Sequence, residues 1–429
     1  MRQIHYLIGE HLSHSFSAEI HAQFGRYDYQ LIELSSTDLG AFLKARDFAG
    51  LNVTIPFKQA VIPYLDRLDD QATTIGAVNT IVNYNGMLWG YNTDFGGMCA
   101  AIRQMSPHGP SGLFGQKVLI LGTGGTSRTA LAVCRALGAR ETLRLSRTGK
   151  DGAIRYSEAV AQHPDAAWII NCTPGGMYPN LEESPLSLAA PQNCHSERSE
   201  ESVLFPHLQG VFDCVYNPLR SSLVLAAQSR GLAAEGGLYM LVKQAAISCE
   251  LFTGAPVEER QIEQVYAKMR RERENLVLIG MPGSGKTTVG RLLAKITGKP
   301  FLDLDEEIVR RAGKSIPAIF TESGEDVFRN LESELIQELS TMGGTVIATG
   351  GGAVLRRENV IGLKQNGRLF FLDRPLLELT PTADRPLGDT WEKLKRLYEM
   401  RLPVYTAAAD LVLDASLCPE ELACTIASL

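Results

Sequence analysis

Short apolar runs alternate with helix-like amphipathic segments along most of the chain. Such alternation predicts an α/β architecture in which helices connect mainly parallel strands. Two apolar runs pass directly into glycine-rich turns, residues 118–121 into a turn at 122–125 and residues 276–279 into a turn at 280–287. Each pattern is typical of a first strand that leads into a phosphate-binding helix N-terminus. The turns lie too far apart for one strand–helix–strand unit, so we expect two nucleotide-binding modules.

The composition narrows the class of protein. The 429 residues are 45% hydrophobic and 21% charged, which excludes a disordered or fibrous chain. A net charge of −6 argues against general binding to nucleic acid or anionic membranes. No cysteine pair has the C-x-x-C spacing of a zinc site, and no apolar stretch has the length of a membrane span. We therefore expect a cytoplasmic protein with small-molecule substrates, whose polar stretch 192–202 is a solvated loop insertion. The sequence leaves the oligomeric state open.

The first glycine-rich turn favours a phosphorylated dinucleotide. Gly122 and Gly124 occupy the first two positions of G-x-G-x-x-G, in which glycine lets the backbone approach a pyrophosphate. The next predicted strand ends at Arg147, where a site for NAD usually carries an acidic residue for the ribose hydroxyls. A guanidinium can instead bind a 2′-phosphate, and Arg128 can assist from the turn. The sequence therefore favours NADP over NAD.

Three polar clusters precede this turn, at residues 14–17, 52–58 and 76–94. Their hydroxyl, amide and charged groups suit a polyhydroxylated substrate, whose hydroxyls require paired donors and acceptors. Lys58 and Asp94 are the plausible acid/base pair among them, because a lysine ammonium can protonate an alkoxide that forms during hydride transfer.

Together, the clusters and the turn resemble shikimate dehydrogenase over roughly residues 4–267. The resemblance implies that Lys58 is the catalytic group with Asp94 beside it, and that Ser15 and Ser17 bind the substrate carboxylate. It further implies that the ring is contacted by Thr54, Asn79, Asp94, Tyr216 and Gln244. The implied NADP contacts are Gly122, Gly124, Gly125, Arg128, Ser146, Arg147, Thr148 and Gly237.

The second glycine-rich turn carries the full P-loop signature, from Gly280 to Gly285, Lys286 and Thr287. In such a loop the backbone N–H groups surround the phosphates, the lysine reaches the β- and γ-phosphate oxygens, and the threonine holds Mg²⁺. The predicted ATP contacts in the loop are Gly283, Ser284, Gly285, Lys286, Thr287 and Thr288.

A phosphoryl acceptor site is expected from residues beyond the P-loop. Asp303 and Asp305 would share one face if the chain there is extended, so that one serves Mg²⁺ and the other orients an attacking hydroxyl. Arginines and a second glycine cluster at 350–352 suit a carboxylate and a small ring.

This second set of motifs resembles shikimate kinase over roughly residues 275–429. The resemblance implies that Asp305 binds the acceptor hydroxyls, and that Arg385 comes from a lid over ATP within residues 374–391. It also implies magnesium contacts at Thr287 and Asp303. The remaining ring and carboxylate contacts would be Arg329, Gly351, Gly352 and Arg401.

The two resemblances imply an α/β chain with a two-lobed dehydrogenase followed by a P-loop kinase domain with a parallel sheet. The expected domains are a substrate-binding catalytic lobe at 1–102 and 239–267, a Rossmann-like NADP lobe at 103–238, a linker at 268–274 and the kinase domain at 275–429.

The implied function is NADPH-dependent reduction of 3-dehydroshikimate to shikimate, then MgATP-dependent phosphorylation to shikimate 3-phosphate, two steps of aromatic amino-acid biosynthesis. Two alternatives remain open at this stage. The first half would instead oxidise quinate with NAD, or one half would be a non-catalytic binding module.

Overall fold

The computed structural model describes residues 4–13, 15–106, 112–150, 152–181, 183–186, 188, 204–380 and 390–429. The chain forms two compact units, unit 1 from Met1 to Met269 and unit 2 from Arg270 to Leu429. Three sequence expectations lie outside the described residues: His14 in the first polar cluster, the insertion at 192–202, and Arg385 with half of its lid.

Unit 1 begins with a mixed six-stranded sheet in the order β2-β1-β3-β5-β6-β4. Its strands are β1 (Ile4–Gly9), β2 (Asp28–Glu33), β3 (Gly50–Val53), β4 (Arg67–Leu68), β5 (Thr80–Tyr84) and β6 (Met87–Tyr91). Strand β3 pairs in parallel with β1 and antiparallel with β5, which sets Asn52 opposite Thr80. This pairing brings the second and third polar clusters of the sequence together.

The second sheet of unit 1 is entirely parallel, in the order β12-β11-β10-β7-β8-β9. Its strands are β7 (Lys117–Leu121), β8 (Glu141–Ser146), β9 (Ile154–Arg155), β10 (Trp168–Asn171), β11 (Gly210–Asp213) and β12 (Ala233–Glu235). The chain starts at β7, builds outward to β9, and then returns to the other side of β7. In open sheets of this kind, ligands bind at the strand ends where the order reverses, here between β7 and β10.

Helices cover the sheets of unit 1. They are α1 (Ser17–Phe24), α2 (Leu39–Ala45), α3 (Asp70–Ile75), α4 (Thr93–Met105), α5 (Gly125–Ala136), α6 (Tyr156–Gln162), α7 (Ser222–Ser229), α8 (Leu238–Thr253) and α9 (Glu259–Arg273). Helices α4 and α8 approach closely at Gly97, where an added Cβ would lie 2.7 Å from the carbonyl oxygen of Met240 and 3.1 Å from Cβ of Gln244. The small residue therefore lets α4, which starts beside Asp94, pack directly against the helix that carries Gln244.

The stretch 268–274, predicted as a linker, is helical through Arg273. Helix α9 continues through Arg273, and β13 begins at Asn275. The residues are good helix formers, and Arg270 pairs with Glu274 at 3.7 Å one turn later, which extends the helix to the start of the next strand.

Unit 2 contains one parallel five-stranded sheet in the order β14-β15-β13-β16-β17. Its strands are β13 (Asn275–Ile279), β14 (Phe301–Asp303), β15 (Val346–Ala348), β16 (Gly367–Asp373) and β17 (Leu411–Asp414). Its helices are α10 (Lys286–Thr297), α11 (Leu304–Ala312), α12 (Ile316–Ser323), α13 (Glu325–Ser340), α14 (Arg357–Asn366), α15 (Trp391–Ala408) and α16 (Pro419–Ser428).

The central strand β13 is buried on both faces, which explains its continuous apolar run. Val277 and Ile279 pack into one core, and Leu276 and Leu278 pack into the other. The α/β class and the parallel sheets predicted from the sequence are confirmed. Within the residues described, no helix is both long and apolar enough to cross a bilayer.

Candidate active sites

Lys58 and Asp94 form the charged centre of the first site. The Lys58 ammonium donates to Oδ2 of Asp94 at 2.6 Å, and the two side chains are only 15% and 9% exposed. Backbone hydrogen bonds fix the position of both residues. The Lys58 carbonyl accepts from the N–H of Val78 at 2.7 Å. Asp94 lies in the first turn of α4, which Asn92 caps. The fold thus brings together the acid/base pair that the sequence singled out.

Neutral side chains surround this pair. Oδ1 of Asn79 accepts from the backbone N–H of Thr93 at 2.7 Å, so the amide of Asn79 has a defined orientation. Its Nδ2 then donates to Oε1 of Gln244 at 3.3 Å, while Nε2 of Gln244 donates to the carbonyl of Leu241 at 2.9 Å. Asn79, next to β5, and Gln244, on α8, are therefore bonded to each other, and Asn79 is also bonded to Thr93 in the first turn of α4, which carries Asp94.

A buried layer of polar residues supports Asn79 and Gln244 from behind. The hydroxyl of Ser248 lies 3.0 Å from that of Thr93 and 2.9 Å from that of Thr80, and Nδ2 of Asn52 donates to it at 2.9 Å. No role for Ser248 was predicted from the sequence. Its spacing of four residues from Gln244 on one helix was the available signal.

Aromatic groups close this layer on the side of β2. The hydroxyl of Tyr29 donates to Oδ1 of Asn52 at 2.8 Å, and the ring of His21 stacks on Tyr29 with centroids 4.0 Å apart. Burial and the neighbouring His5 lower the pKa of His21 to about 3, so the imidazole is neutral near pH 7. The support beneath the site is therefore uncharged.

The remaining predicted substrate contacts lie on short loops. Oγ of Ser15 accepts from the N–H of Ser17 at 3.2 Å, and the ring of Phe16 between them contacts Tyr216 with centroids 5.1 Å apart. Thr54 follows β3 and donates its N–H to the carbonyl of Ile8 at 3.0 Å. These contacts group Ser15, Ser17 and Tyr216, whereas their role toward a substrate stays a prediction.

The first glycine-rich turn opens beside Lys58. Gly122 has φ +106°, and an added Cβ there would lie 3.0 Å from Cγ2 of Thr173, so the turn requires glycine. Gly124 precedes the first turn of α5, and the position of a Cβ on it is open. A Cβ on Gly125 would lie 3.5 Å from Cβ of Lys58. The helix N-terminus, which favours anions, is therefore adjacent to the acid/base pair.

The predicted cofactor residues farther from the turn lie either at the exposed end of β8 or packed against the chain before α8. Arg147 and Thr148 are exposed just beyond β8, where Oγ of Ser146 accepts from the N–H of Gly149 at 3.0 Å. Gly237 precedes α8, and a side chain there would collide with the carbonyl of Cys214.

The guanidinium of Arg128 extends toward the substrate lobe. A Cβ on Gly76 would lie 3.5 Å from its Nη1. Arg128 also lines a cavity of about 600 Å³ with Arg135 and Arg144. The structure therefore shows Arg128 directed at the turn after α3, and its contact with NADP stays a prediction.

In unit 2, the P-loop curves around Lys286. The ammonium donates to the carbonyls of Gly280 and Met281 at 2.9 Å each, and the side chain is buried. Gly280, Gly283 and Gly285 all have positive φ, at +147°, +85° and +94°. The loop residues predicted to contact ATP, Gly283, Ser284, Gly285, Lys286, Thr287 and Thr288, all lie in this turn or the first turn of α10.

Thr287 and Asp303 form an oxygen-rich pair next to the loop. The Thr287 hydroxyl donates to Oδ2 of Asp303 at 2.7 Å. Oδ1 of Asp303 accepts from the N–H of Asp305 at 3.0 Å, because Asp303 caps α11.

The expectation that Asp303 and Asp305 share one face of an extended strand is therefore wrong. Helix α11 starts at Leu304, and three acidic residues in its first turn favour that start.

Four charged side chains meet around the glycine cluster at 350–352. A Cβ on Gly350 would lie 2.7 Å from both Oδ1 of Asp305 and Oε1 of Glu332. On Gly352 it would collide with the guanidinium of Arg329. The guanidinium of Arg401 donates to the carbonyl of Gly351 at 2.8 Å, and Tyr405 donates to the same oxygen. The fold thus brings together Asp305, Arg329, Gly351, Gly352 and Arg401, as predicted from the sequence.

Glu332 was not predicted and lies at the centre of this cluster. It is completely buried, and Oε2 accepts from Nη1 of Arg329 at 2.8 Å. Burial raises the pKa of Glu332 against the opposing effect of Arg329. Burial also works against the charge of Arg329, but Glu332 and Glu325 outweigh it, and the pKa of Arg329 is raised. The position of Glu332, three residues after Arg329 on α13, was the signal that sequence reasoning missed.

Comparison with known proteins connects each unit to a family. The family model described as shikimate dehydrogenase substrate binding domain matches residues 7–81, and the model described as shikimate kinase matches residues 282–428. A shikimate dehydrogenase (NADP(+)) of Geobacillus kaustophilus is 36% identical over 293 residues, which cover 63% of this chain and all of the relative. A shikimate kinase of Nitrosomonas europaea is 44% identical over 148 residues, which cover 33% of this chain and 70% of the relative.

A solved structure agrees with the first of these similarities. The shikimate 5-dehydrogenase of Thermus thermophilus, in complex with NADP(H) and shikimate, superposes with a TM-score of 0.52 at 28% identity. The match covers 62% of this chain and 99% of that one.

Proposed function

Because this chain belongs to the shikimate dehydrogenase family in unit 1 and to the shikimate kinase family in unit 2, we propose that it catalyses two consecutive reactions. Unit 1 reduces 3-dehydroshikimate to shikimate with NADPH. Unit 2 transfers a phosphoryl group from ATP to the 3-hydroxyl of shikimate. The product of the first reaction is the acceptor in the second.

The observation that carries the first reaction is the contact of 2.6 Å between Lys58 and Asp94 beside the glycine-rich turn. The reduced nicotinamide, when bound, supplies a hydride to the ring carbonyl. Lys58 donates a proton to the carbonyl oxygen as negative charge develops on it. Asp94 holds the ammonium in place and accepts a hydrogen bond from the neighbouring ring hydroxyl.

The neutral groups around the pair account for ring recognition. Thr54, Asn79 and Gln244 pair with ring hydroxyls, because amide and hydroxyl groups offer both donors and acceptors. A buried site of this kind discriminates against a ring that lacks one hydroxyl, since its partner would be left unpaired. Ser15 and Ser17 bind the carboxylate of the same substrate, and Tyr216 contacts its ring.

The second sheet of unit 1 holds NADP, and the first sheet with α8 holds the substrate. The pyrophosphate binds at Gly122, Gly124 and Gly125, where the N-terminus of α5 favours negative charge. Arg147 selects the 2′-phosphate, with Ser146 and Thr148 beside it. Gly237 leaves room for the nicotinamide end, and Arg128 reaches the cofactor from the first turn of α5.

In unit 2, the P-loop and Lys286 hold the β- and γ-phosphates. Asp305 accepts the proton of the attacking hydroxyl as its oxygen bonds to the γ-phosphorus and the bond to ADP breaks. Arg329 and Arg401 bind the ring carboxylate, and the backbone at Gly351 and Gly352 lies against the ring. Arg385 is proposed to contact ATP.

The pair Thr287 and Asp303 fits Mg²⁺. Their hydroxyl and carboxylate oxygens lie 2.7 Å apart next to the P-loop, and oxygen is the ligand atom that this cation prefers. When bound, Mg²⁺ neutralises charge on the phosphate oxygens. Removal of divalent cations with a chelator should stop phosphorylation and leave ketone reduction unchanged.

The proposal is tested by assaying each half-reaction separately on the full chain. We expect oxidation of NADPH with 3-dehydroshikimate and release of ADP with shikimate and ATP. Equal use of NADH and NADPH would contradict the assignment of NADP to unit 1. Faster turnover of quinate with NAD than of shikimate with NADP would make unit 1 a quinate dehydrogenase. Absence of one half-reaction would make that unit a binding module.

A further inference from the structure

Two cysteines lie side by side at the carboxyl end of the second sheet. Sγ of Cys172 is 3.9 Å from Sγ of Cys214. Cys172 directly follows β10 and Cys214 directly follows β11, one position beyond the registered pair of Asn171 and Asp213. Nδ2 of Asn171 also donates to Oδ1 of Asp213 at 2.9 Å, which fixes the two strand ends against each other.

The spacing of the two residues permits a disulfide. Neighbouring strands lie about 4.8 Å apart, and disulfides join residues whose Cα atoms are roughly 4.4–6.8 Å apart. The two positions face each other in register, so a bond of about 2.05 Å requires rotation of the side chains together with a small approach of the strand ends.

The pair adjoins two of the predicted cofactor glycines, Gly122 and Gly237. A Cβ on Gly122 would lie 3.4 Å from the carbonyl oxygen of Cys172, and a side chain on Gly237 would collide with the carbonyl of Cys214. Both cysteines are partly exposed, whereas Cys99 is buried in the same unit. The carbonyls of Cys172 and Cys214 thus lie close to Gly122 and Gly237, where the space for a side chain is already filled.

We propose that Cys172 and Cys214 form a reversible disulfide on exposure to a peroxide, and that this disulfide weakens the binding of NADPH. The expected effect on NADPH binding rests on the function proposed for unit 1. The formation of the disulfide rests only on the two neighbouring thiols.

The reaction is balanced with hydrogen peroxide as the oxidant. One thiolate attacks a peroxide oxygen, the O–O bond breaks, and a sulfenic acid and water form. The second thiol displaces water from the sulfenic acid, so two thiols and one peroxide give one disulfide and two waters. The hydrogen bond with Cys214 and burial raise the pKa of Cys172.

The bond should act on the cofactor through the backbone. To bond, the two sulfurs must approach by almost half of their present separation, which pulls the strand ends together and moves the carbonyls that contact Gly122 and Gly237. A disulfide between neighbouring strands is strained, and strained disulfides are readily reduced. We therefore expect full recovery with dithiothreitol.

The experiment uses the full chain, treated with hydrogen peroxide and digested without reductant. We expect a peptide pair joined through Cys172 and Cys214, a rise of about tenfold or more in the Kd for NADPH, and protection when NADPH is bound beforehand. Kinase turnover in the same sample should be unchanged and serves as the internal reference.

Two variants complete the test. Cys214→Ser should keep its affinity for NADPH after peroxide, whereas Cys424→Ser, at an exposed position of unit 2, should respond like the unaltered chain. The proposal is overturned if no joined peptide forms, if it forms without a change in Kd, or if Cys214→Ser loses affinity equally. If the reduced chain binds no NADPH at all, the function proposed for unit 1 fails, while peptide mapping still decides whether the disulfide forms.

Discussion

Each site lies next to a glycine-rich turn at the end of a central strand, but the two sites differ in how their charged side chains are distributed. In unit 1, one ion pair, Lys58 with Asp94, adjoins neutral amides and hydroxyls. In unit 2, a buried lysine sits within the P-loop itself, and two arginines and two carboxylates surround the glycine cluster.

This difference follows the chemistry of each step. Reduction of a carbonyl requires one proton at one oxygen, so a single cation suffices and the rest of the site can recognise hydroxyls. Phosphoryl transfer moves a highly charged group, so positioning and charge neutralisation account for nearly all of the catalysis. The comparison predicts that substitution of one residue has the largest effect on the activity of unit 1, whereas unit 2 depends on several charged side chains that contact one another.

The largest effect is expected for Lys58→Ala. Loss of the proton donor should lower kcat for ketone reduction by about 10²–10⁴-fold, with kinase turnover unchanged. Lys44→Ala, at an exposed position of α2, is the matched control and should behave like the unaltered chain. Near-normal reduction by Lys58→Ala, measured as NADPH oxidation, would remove Lys58 from the catalytic role.

Glu332→Ala tests the connected charges of unit 2. Removing the buried partner leaves the guanidinium of Arg329 with the more exposed Glu325 and should lower the free energy of unfolding of unit 2 by about 3–5 kcal/mol. Denaturant unfolding followed by loss of kinase activity measures this. Glu338→Ala, more than half exposed on the same helix, should change it by less than about 1 kcal/mol. Equal effects of the two substitutions would contradict the account.

Arg147→Ala should act on cofactor choice alone. A hydrogen bond to a charged group contributes roughly 1.5–3 kcal/mol, so the KM for NADPH should rise about tenfold to a hundredfold. The KM for NADH should stay unchanged, as should both constants in Arg140→Ala, which is exposed near the other end of β8. A parallel rise for NADH and NADPH would show that Arg147 does not read the 2′-phosphate.

Ser248→Ala is the smallest expected change and tests the neutral support beneath unit 1. The substitution leaves the hydrogen-bonding groups of Asn52, Thr80 and Thr93 short of a partner, at a cost of about 1–3 kcal/mol. We expect a lower free energy of unfolding and a few-fold rise in the KM for 3-dehydroshikimate, with the KM for NADPH unchanged. An unaltered KM for both would limit Ser248 to a structural role.

The sequence was most informative where the signal is local. The two glycine-rich turns, the strands before them, and the alternation of strands with helices depend on short spacings, and all three appear in the structure. The glycine cluster with Arg329 and Arg401 was also recognisable, because its residue types are unusual together.

What the sequence could not provide depends on tertiary burial. Ser248 and Glu332 are ordinary residues in amphipathic helices, and only packing shows that both are inaccessible to solvent. The strand interpretation of 301–305 failed because a strong N-cap at Asp303 ended the extended segment. The charged stretch before β13 was expected as a last helix running into a linker, and the structure shows that this helix extends to Arg273.

The most direct test of the central claim, two sites for one ring, is a single incubation of the full chain with 3-dehydroshikimate, NADPH and MgATP. NADPH oxidation and ADP release are followed together until 3-dehydroshikimate is exhausted. The account predicts equal amounts of NADP⁺ and ADP, with ADP formation starting only after NADPH is added, and no ADP from Lys286→Ala despite normal NADPH oxidation. ADP formation that does not depend on prior reduction, or complete reduction with no ADP from the unaltered chain, would contradict it.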